Sequence, residues 1–203
     1  SVGHKVYFSV FHSISAFNNA GFSLFTDNIF DISIRHAYNL QLVISALIFF
    51  GGIGFIVLED MFSYHSILKR RKLKWKKLLV HSRVALNTSF ILIVVGALGF
   101  YLLERRGTIE GYSIYGSIVS SIFQSVTTRT AGFNSVDFTK LSQPVLIMMM
   151  MLMYVGASPG STGGGIKTTT FAIILRSAWN TIRGRKNLEM QRHTISVDNI
   201  NKA

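Results

Sequence analysis

Phe11-His-Ser-Ile-Ser-Ala-Phe-Asn-Asn-Ala-Gly-Phe22 returns later in the chain as Phe123-Gln-Ser-Val-Thr-Thr-Arg-Thr-Ala-Gly-Phe133, one residue shorter in the middle. Each copy is half polar, ends in Ala-Gly-Phe and lies just before a long apolar run. Neither can cross a bilayer, which takes roughly 20 apolar residues. In lipid every backbone N–H and C=O needs a partner, so irregular backbone survives only inside protein or beside water. The repeat therefore predicts two re-entrant pore loops. In each, a helix descends part-way, unwinds, and turns its carbonyls toward a dehydrated cation.

Composition narrows the setting. Of 203 residues, 49% are hydrophobic and only 15% charged, against roughly 25% charged in soluble domains. Cysteine is absent, which excludes disulfides and thiolate metal sites. The net charge of +12 would suit nucleic acid. However, the basic residues cluster between apolar runs, as membrane topology requires, and no nucleic-acid partner is expected. Opening at Ser1 directly into the first loop, with no cleavable signal, the sequence reads as an internal piece of something longer.

The first spanning segment is expected over Tyr38 to Glu59, with Gly51, Gly52 and Gly54 allowing close helix contact. Lys69-Arg-Arg-Lys-Leu-Lys-Trp-Lys-Lys77 then reads as a cytoplasmic loop under the positive-inside rule. A second span follows at Val84 to Leu103. After it, Glu104 and Glu110 offset Arg105 and Arg106, giving a near-neutral outer loop. Ile114, Ile118, Ile122 and Val126, four apart, make one face of a pore helix over Tyr112 to Thr128, and Val6, Val10, Ile14 and Phe17 do the same in the earlier copy. A helix C-terminus aimed inward favours a cation below it.

The third span breaks. Gln143 to Val155 is strongly apolar, then Gly156-Ala-Ser-Pro-Gly-Ser-Thr-Gly-Gly-Gly-Ile-Lys-Thr-Thr-Thr170 interrupts it before helix resumes at Phe171 to Trp179. Glycine and proline dismantle helices, so a mobile gate is expected here, with Gly156, Pro159, Gly160, Gly163, Gly164, Gly165 and Lys167 as its residues. An ordinary surface loop between two short helices is the plainer alternative. From Gly160 the segment nearly spells the phosphate-cradling G-x-x-x-x-G-K-[ST] pattern, but Ile166 separates the glycine from Lys167 and would mis-aim it. The histidines show no paired metal-ligand spacing, and His12 reads as a packing or hydrogen-bonding residue. Glu59 and Asp60 face the basic loop. Arg129, beside the second loop, would repel a free cation, so it is expected to point away, pair with an acid and brace the filter. Lys167 near the pore would be a barrier to cations.

On these three phrases the sequence resembles the Ktr/Trk/HKT superfamily of potassium transporters, closest to its KtrB-type membrane subunit, over nearly the whole chain. The resemblance implies an all-α membrane protein in which four helix–pore loop–helix repeats surround one potassium-channel-like pore, with the second and third repeats present here. Residues 1–60 would supply the pore helix, filter loop and second spanning helix of one repeat, and 61–83 a basic cytoplasmic loop. Residues 84–181 would form a complete repeat with gating loop 156–170, and 182–203 a cytoplasmic tail. Gly21 and Gly132 would be filter glycines, and Asn19, Ala20, Thr130 and Ala131 would offer neighbouring carbonyls to potassium. The resemblance further implies no enzyme activity and no cofactor in the chain beyond transported K+, with Na+ as a coupling ion in some members. It implies a multi-pass plasma-membrane subunit acting as a homodimer with a cytosolic nucleotide-binding regulatory ring (KtrA-like). The competing readings are a membrane-embedded nucleotide hydrolase and a non-conducting membrane scaffold.

Overall fold

The computed structural model describes residues 2–64, 66–68, 78–183, 188–190 and 193–195. The basic stretch 69–77 and most of the tail beyond Arg183 lie outside these residues. The main helices are α1 (Val2–Phe17), α2 (Tyr38–Ile53), α3 (Phe55–Phe62), α4 (Val80–Glu104), α5 (Ile114–Thr127), α6 (Gln143–Tyr154) and α7 (Thr168–Ile182). Short 3-10 turns lie at Asn28–Phe30 and Phe138–Lys140. A small antiparallel pair, β1 (Leu188–Met190) and β2 (His193–Ile195), is a local departure from the all-helical expectation.

Helix α4 has 25 residues and is apolar enough to span a membrane. Its Phe90, Val95, Leu98 and Leu102 are each more than half exposed, so the helix carries the outward apolar face that lipid, not water, would cover. Its inner face is small. Gly96 admits Ser125 and Leu152, and the Ser125 hydroxyl donates to the Ile93 carbonyl at 2.8 Å. That contact seats α4 along α5. Ser113 caps α5 by accepting the Gly116 N–H at 3.0 Å.

Glu104, read from sequence as offsetting the surface arginines, is instead buried. Its carboxylate accepts the N–H and hydroxyl of Thr108 at 2.9 and 3.1 Å, and those of Ser142 at 2.9 and 2.7 Å. Four donors compensate a buried charge and fasten the end of α4 to the start of α6.

The span expected to run from Tyr38 to Glu59 does not continue straight. At Gly54, where φ is +93°, α2 and α3 meet at a bend of 101°. Backbone groups near the break bond elsewhere. The Gly52 carbonyl accepts from Ser158 N–H at 2.9 Å, and Phe55 N–H donates to the Gly160 carbonyl at 3.0 Å. The glycines read as helix-contact points therefore receive a loop.

Helix α2 is the wall shared by the two repeated phrases. Ala16, Ile44, Ile48, Phe123, Val126, Ala131 and Phe133 form one buried cluster across α1, α2 and α5. Enclosed between α2 and α4, α5 is buried along most of its length, polar residues included. By contrast α1 rests mainly on α2 and leaves Val2, Val6, Val10 and Ile14 exposed. Position within the bundle, not composition, separates the two copies.

Candidate functional site

Both loops unwind at the same places in the phrase. Asn19 and Thr130, two residues ahead of the glycine, have φ of +52° and +77°; Gly21 and Gly132 have +72° and +82°. In an extended strand successive residues face opposite ways. Left-handed residues at every second position break that alternation, and the Gly21 carbonyl accepts from Asn28 Nδ2 at 3.2 Å. Positive φ is costly for Asn and Thr, so the surrounding packing must hold it.

The loops lie against each other. A Cβ on Gly21 would sit 2.5 Å from the Ala131 carbonyl oxygen and 2.9 Å from Gly132 Cα. Beside them is a cavity of about 370 Å³ lined by Asn19, Ala20, Thr130, Ala131, Gly132 and Met153, among others. Asn19 Oδ1 and Thr130 Oγ1 are buried oxygens with no hydrogen-bond partner among the described residues. The site thus gathers all six residues read from sequence as filter residues. Most of the lining is apolar, with Phe133, Phe138 and Met153 among the walls, and the Asn19 and Thr130 oxygens are the unpartnered acceptors it offers a hard cation among the described residues.

Two further pairs of side chains hold the loops, and sequence reasoning did not single them out as such. Ser15 Oγ donates to the Phe22 carbonyl at 2.8 Å and Thr127 Oγ1 to the Phe133 carbonyl at 2.7 Å. His12 Nε2 meets Ser23 Oγ at 3.0 Å, and Gln124 Nε2 donates to Ser135 Oγ at 3.2 Å. Each pair occupies one matched position of the repeated phrase, a signal that was present in the sequence.

Arg129 is buried, but the expected acid partner is not found: it meets no carboxylate among the described residues. Its Nη1 reaches the Ser89 carbonyl of α4 at 3.5 Å, while Nε has no partner among the described residues. A backbone carbonyl takes the place expected of an acid.

The glycine segment folds back on itself. Gly156 N–H donates to Ile166 C=O at 3.1 Å, Ile166 N–H to Tyr154 C=O at 3.2 Å, and Ala157 N–H to Gly164 C=O at 3.1 Å. Gly160 and Gly165 turn at φ of +70° and +77°, and the Pro159 carbonyl lies close against Gly54. Lys167 Nζ donates to the Gly163 carbonyl at 2.9 Å. Gly163 in turn packs on the second loop: a Cβ there would come 2.6 Å from Thr130 Oγ1. Thr162 reaches the first loop. Its hydroxyl accepts from Asn19 Nδ2 at 2.8 Å and lies 3.2 Å from the Phe17 carbonyl and 3.3 Å from that of Gly51. Thr162, absent from the expected gate residues, joins the segment to the loop and to the α2 break.

A family model for TrkH, a cation transport protein, matches residues 3–203. The chain belongs to the TrkH family. It is 37% identical to the Ktr system potassium uptake protein B of Vibrio alginolyticus over 98% of this chain and 42% of that protein. It is 40% identical to the protein of the same name from Bacillus subtilis, over 96% of this chain and 42% of the relative. It is 39% identical to the potassium/sodium uptake protein NtpJ of Enterococcus hirae, over 94% and 40% respectively. The fold matches the crystal structure of the potassium transporter TrkH from Vibrio parahaemolyticus with a TM-score of 0.70 at 18% identity, over 93% of this chain and 39% of that one. The chain therefore spans about two fifths of the length of these relatives. The resemblance read from the three phrases holds, and with it a helical membrane-transporter fold in a cation transport family, not an enzyme family.

Proposed function

We propose that this TrkH-family chain supplies part of a potassium pathway, with Asn19 to Gly21 and Thr130 to Gly132 as two segments of its filter. The observation that carries this reading is the contact of the Gly21 and Gly132 loops, both left-handed at alternate positions, beside a cavity bordered by Asn19 and Thr130, whose side-chain oxygens are unpartnered among the described residues. Carbonyls there replace part of the hydration shell of K+. The segment from Gly156 to Thr170 is the gate, since it packs on both loops through Thr162 and Gly163. Lys167 places a fixed positive charge at its base and keeps the closed segment electrostatically unfavourable to cations.

The names of the relatives support potassium uptake, and one of them supports sodium as a second ion. A Ktr-type system fits a cytosolic nucleotide-binding regulatory ring and a homodimer of the membrane subunit. The basic residues at 69–77 and in the tail support a cytoplasmic side for loop 61–83 and residues 182–203, around repeat units 1–60 and 84–181.

Gly132→Ser in the full-length native protein tests the filter. The potassium-over-sodium preference of uptake should fall by about tenfold, the equivalent of about 1.4 kcal/mol. Unchanged preference would refute the filter.

A further inference from the structure

The two copies latch the strand after the filter glycine in similar ways, through a Ser15 or Thr127 hydroxyl on the Phe22 or Phe133 carbonyl and through the second residue of each phrase on a serine, Ser23 two residues past Gly21 and Ser135 three past Gly132. As that second residue the first copy has His12 and the second Gln124, and each holds a serine eleven residues on, Ser23 and Ser135. An amide cannot take up a proton at physiological pH. An imidazole can.

The hydrogen bonds of His12 define its neutral form. Nδ1 lies 2.7 Å from the Phe8 carbonyl, an acceptor, so Nδ1 carries the hydrogen. Nε2 is then the acceptor, taking the Leu24 N–H at 3.3 Å and the Ser23 hydroxyl at 3.0 Å, while Ser23 Oγ accepts the Phe25 N–H at 3.1 Å. A proton added to Nε2 points an N–H at the Leu24 N–H and leaves that backbone donor without an acceptor. Ser23 can reverse its hydroxyl; Leu24 cannot reverse its amide. Protonation therefore works against the strand that leaves Gly21.

His12 is buried and borders a cavity of about 220 Å³ walled by apolar side chains including Phe8, Phe25, Ile29 and Ile44. The charged groups around it are otherwise engaged or distant in the chain. On α1, His4 stacks on Phe8 with ring centroids 4.3 Å apart, and Lys5 lies about two turns before His12. The titratable side chain of α2 is Tyr38, which packs with His36, Tyr112 and Tyr115. On the segment after the filter, Asp31 bonds Ser33, Arg35 and His36 line another cavity, and Asp27 makes no ion pair with His12. Among the described residues no carboxylate stabilises an imidazolium there.

We propose that His12 is a positioning residue for the Gly21 loop and that its protonation makes ion selection acid-sensitive in one of the two loops. The proposal rests on the filter reading above. The test is the potassium-over-sodium uptake ratio of the full-length native protein in proteoliposomes, scanned from about pH 8 to about pH 5.5. The wild type should lose selectivity several-fold on acidification. H12Q, which puts the second copy's residue at this position, should transport with a flat profile, and Q124H should steepen the acid loss. Parallel profiles for wild type and H12Q would overturn the latch while leaving the filter intact. No potassium flux from wild type at any pH would overturn both.

Discussion

Gly21 has no room for a side chain and a backbone that disfavours one. A methyl group there would meet the Ala131 carbonyl at 2.5 Å, and φ is +72°. Left-handed backbone costs a non-glycine residue of order 1–3 kcal/mol where packing enforces it. Gly21→Ala should therefore push the two loops apart, lowering both the melting temperature in detergent and potassium selectivity. Equal melting and selectivity would show that the contact yields freely. Glu104 makes the opposite case, a residue whose value lies in its charge. Its carboxylate is matched to four donors, and Glu104→Gln turns one acceptor into a donor facing others. A buried donor left unmatched costs about 1–3 kcal/mol. The loss should appear as reduced thermal stability with little change in ion preference in whatever protein remains folded.

Among the elements, the segment from Gly156 to Ile166 is a closed loop tied at its neck and docked at its tip. The neck is a backbone ladder near Gly156, where a Cβ would run into the Gly164 carbonyl. The tip is Thr162, one hydroxyl serving Asn19, Phe17 and Gly51. Thr162→Val keeps the shape and removes the hydroxyl. It should loosen the segment from the first loop and raise basal potassium flux, measured as rubidium leak from loaded vesicles. Deleting residues 160–165 should raise it further; a leak as low as wild type in both would mean that the segment does not occlude the path. The bend at Gly54 belongs to the same unit, since the Phe55 N–H bonds the Gly160 carbonyl. Hydropathy across Tyr38 to Glu59 gave no sign of that bend, because a break costs no apolar residue when a loop supplies its hydrogen bonds.

For the whole molecule, the asymmetry between the two copies is informative. Helix α5 is enclosed while α1 keeps an exposed apolar stripe of Val2, Val6, Val10 and Ile14. On the proposed reading two filter segments would line one side of a path, and the chain covers about 40% of its relatives. Residues 1–203 expressed alone should therefore fail to restore growth of a potassium-uptake-deficient cell at low potassium, where the full-length native protein succeeds. Restoration by the 203-residue piece would show that its two loops suffice for conduction.

Periodicity and repetition were enough to locate most of the helices and the two loops that meet at Gly21 and Gly132. A phrase used twice, each time before an apolar run, points to matching backbone at Gly21 and Gly132, and both are left-handed, because lipid tolerates few other uses of polar backbone. Spacing of the same kind located α5 to within two residues at its start and one at its end. What the sequence alone did not determine are contacts between distant segments: Thr162 against Asn19, Ser158 against Gly52, Glu104 against Ser142, Arg129 against Ser89. Three of these four join a side chain to a residue far along the chain, and Ser158 on Gly52 is backbone on backbone. Such pairings carry no periodic signature. They exist because folding brings unsatisfied donors and acceptors together where water cannot serve them.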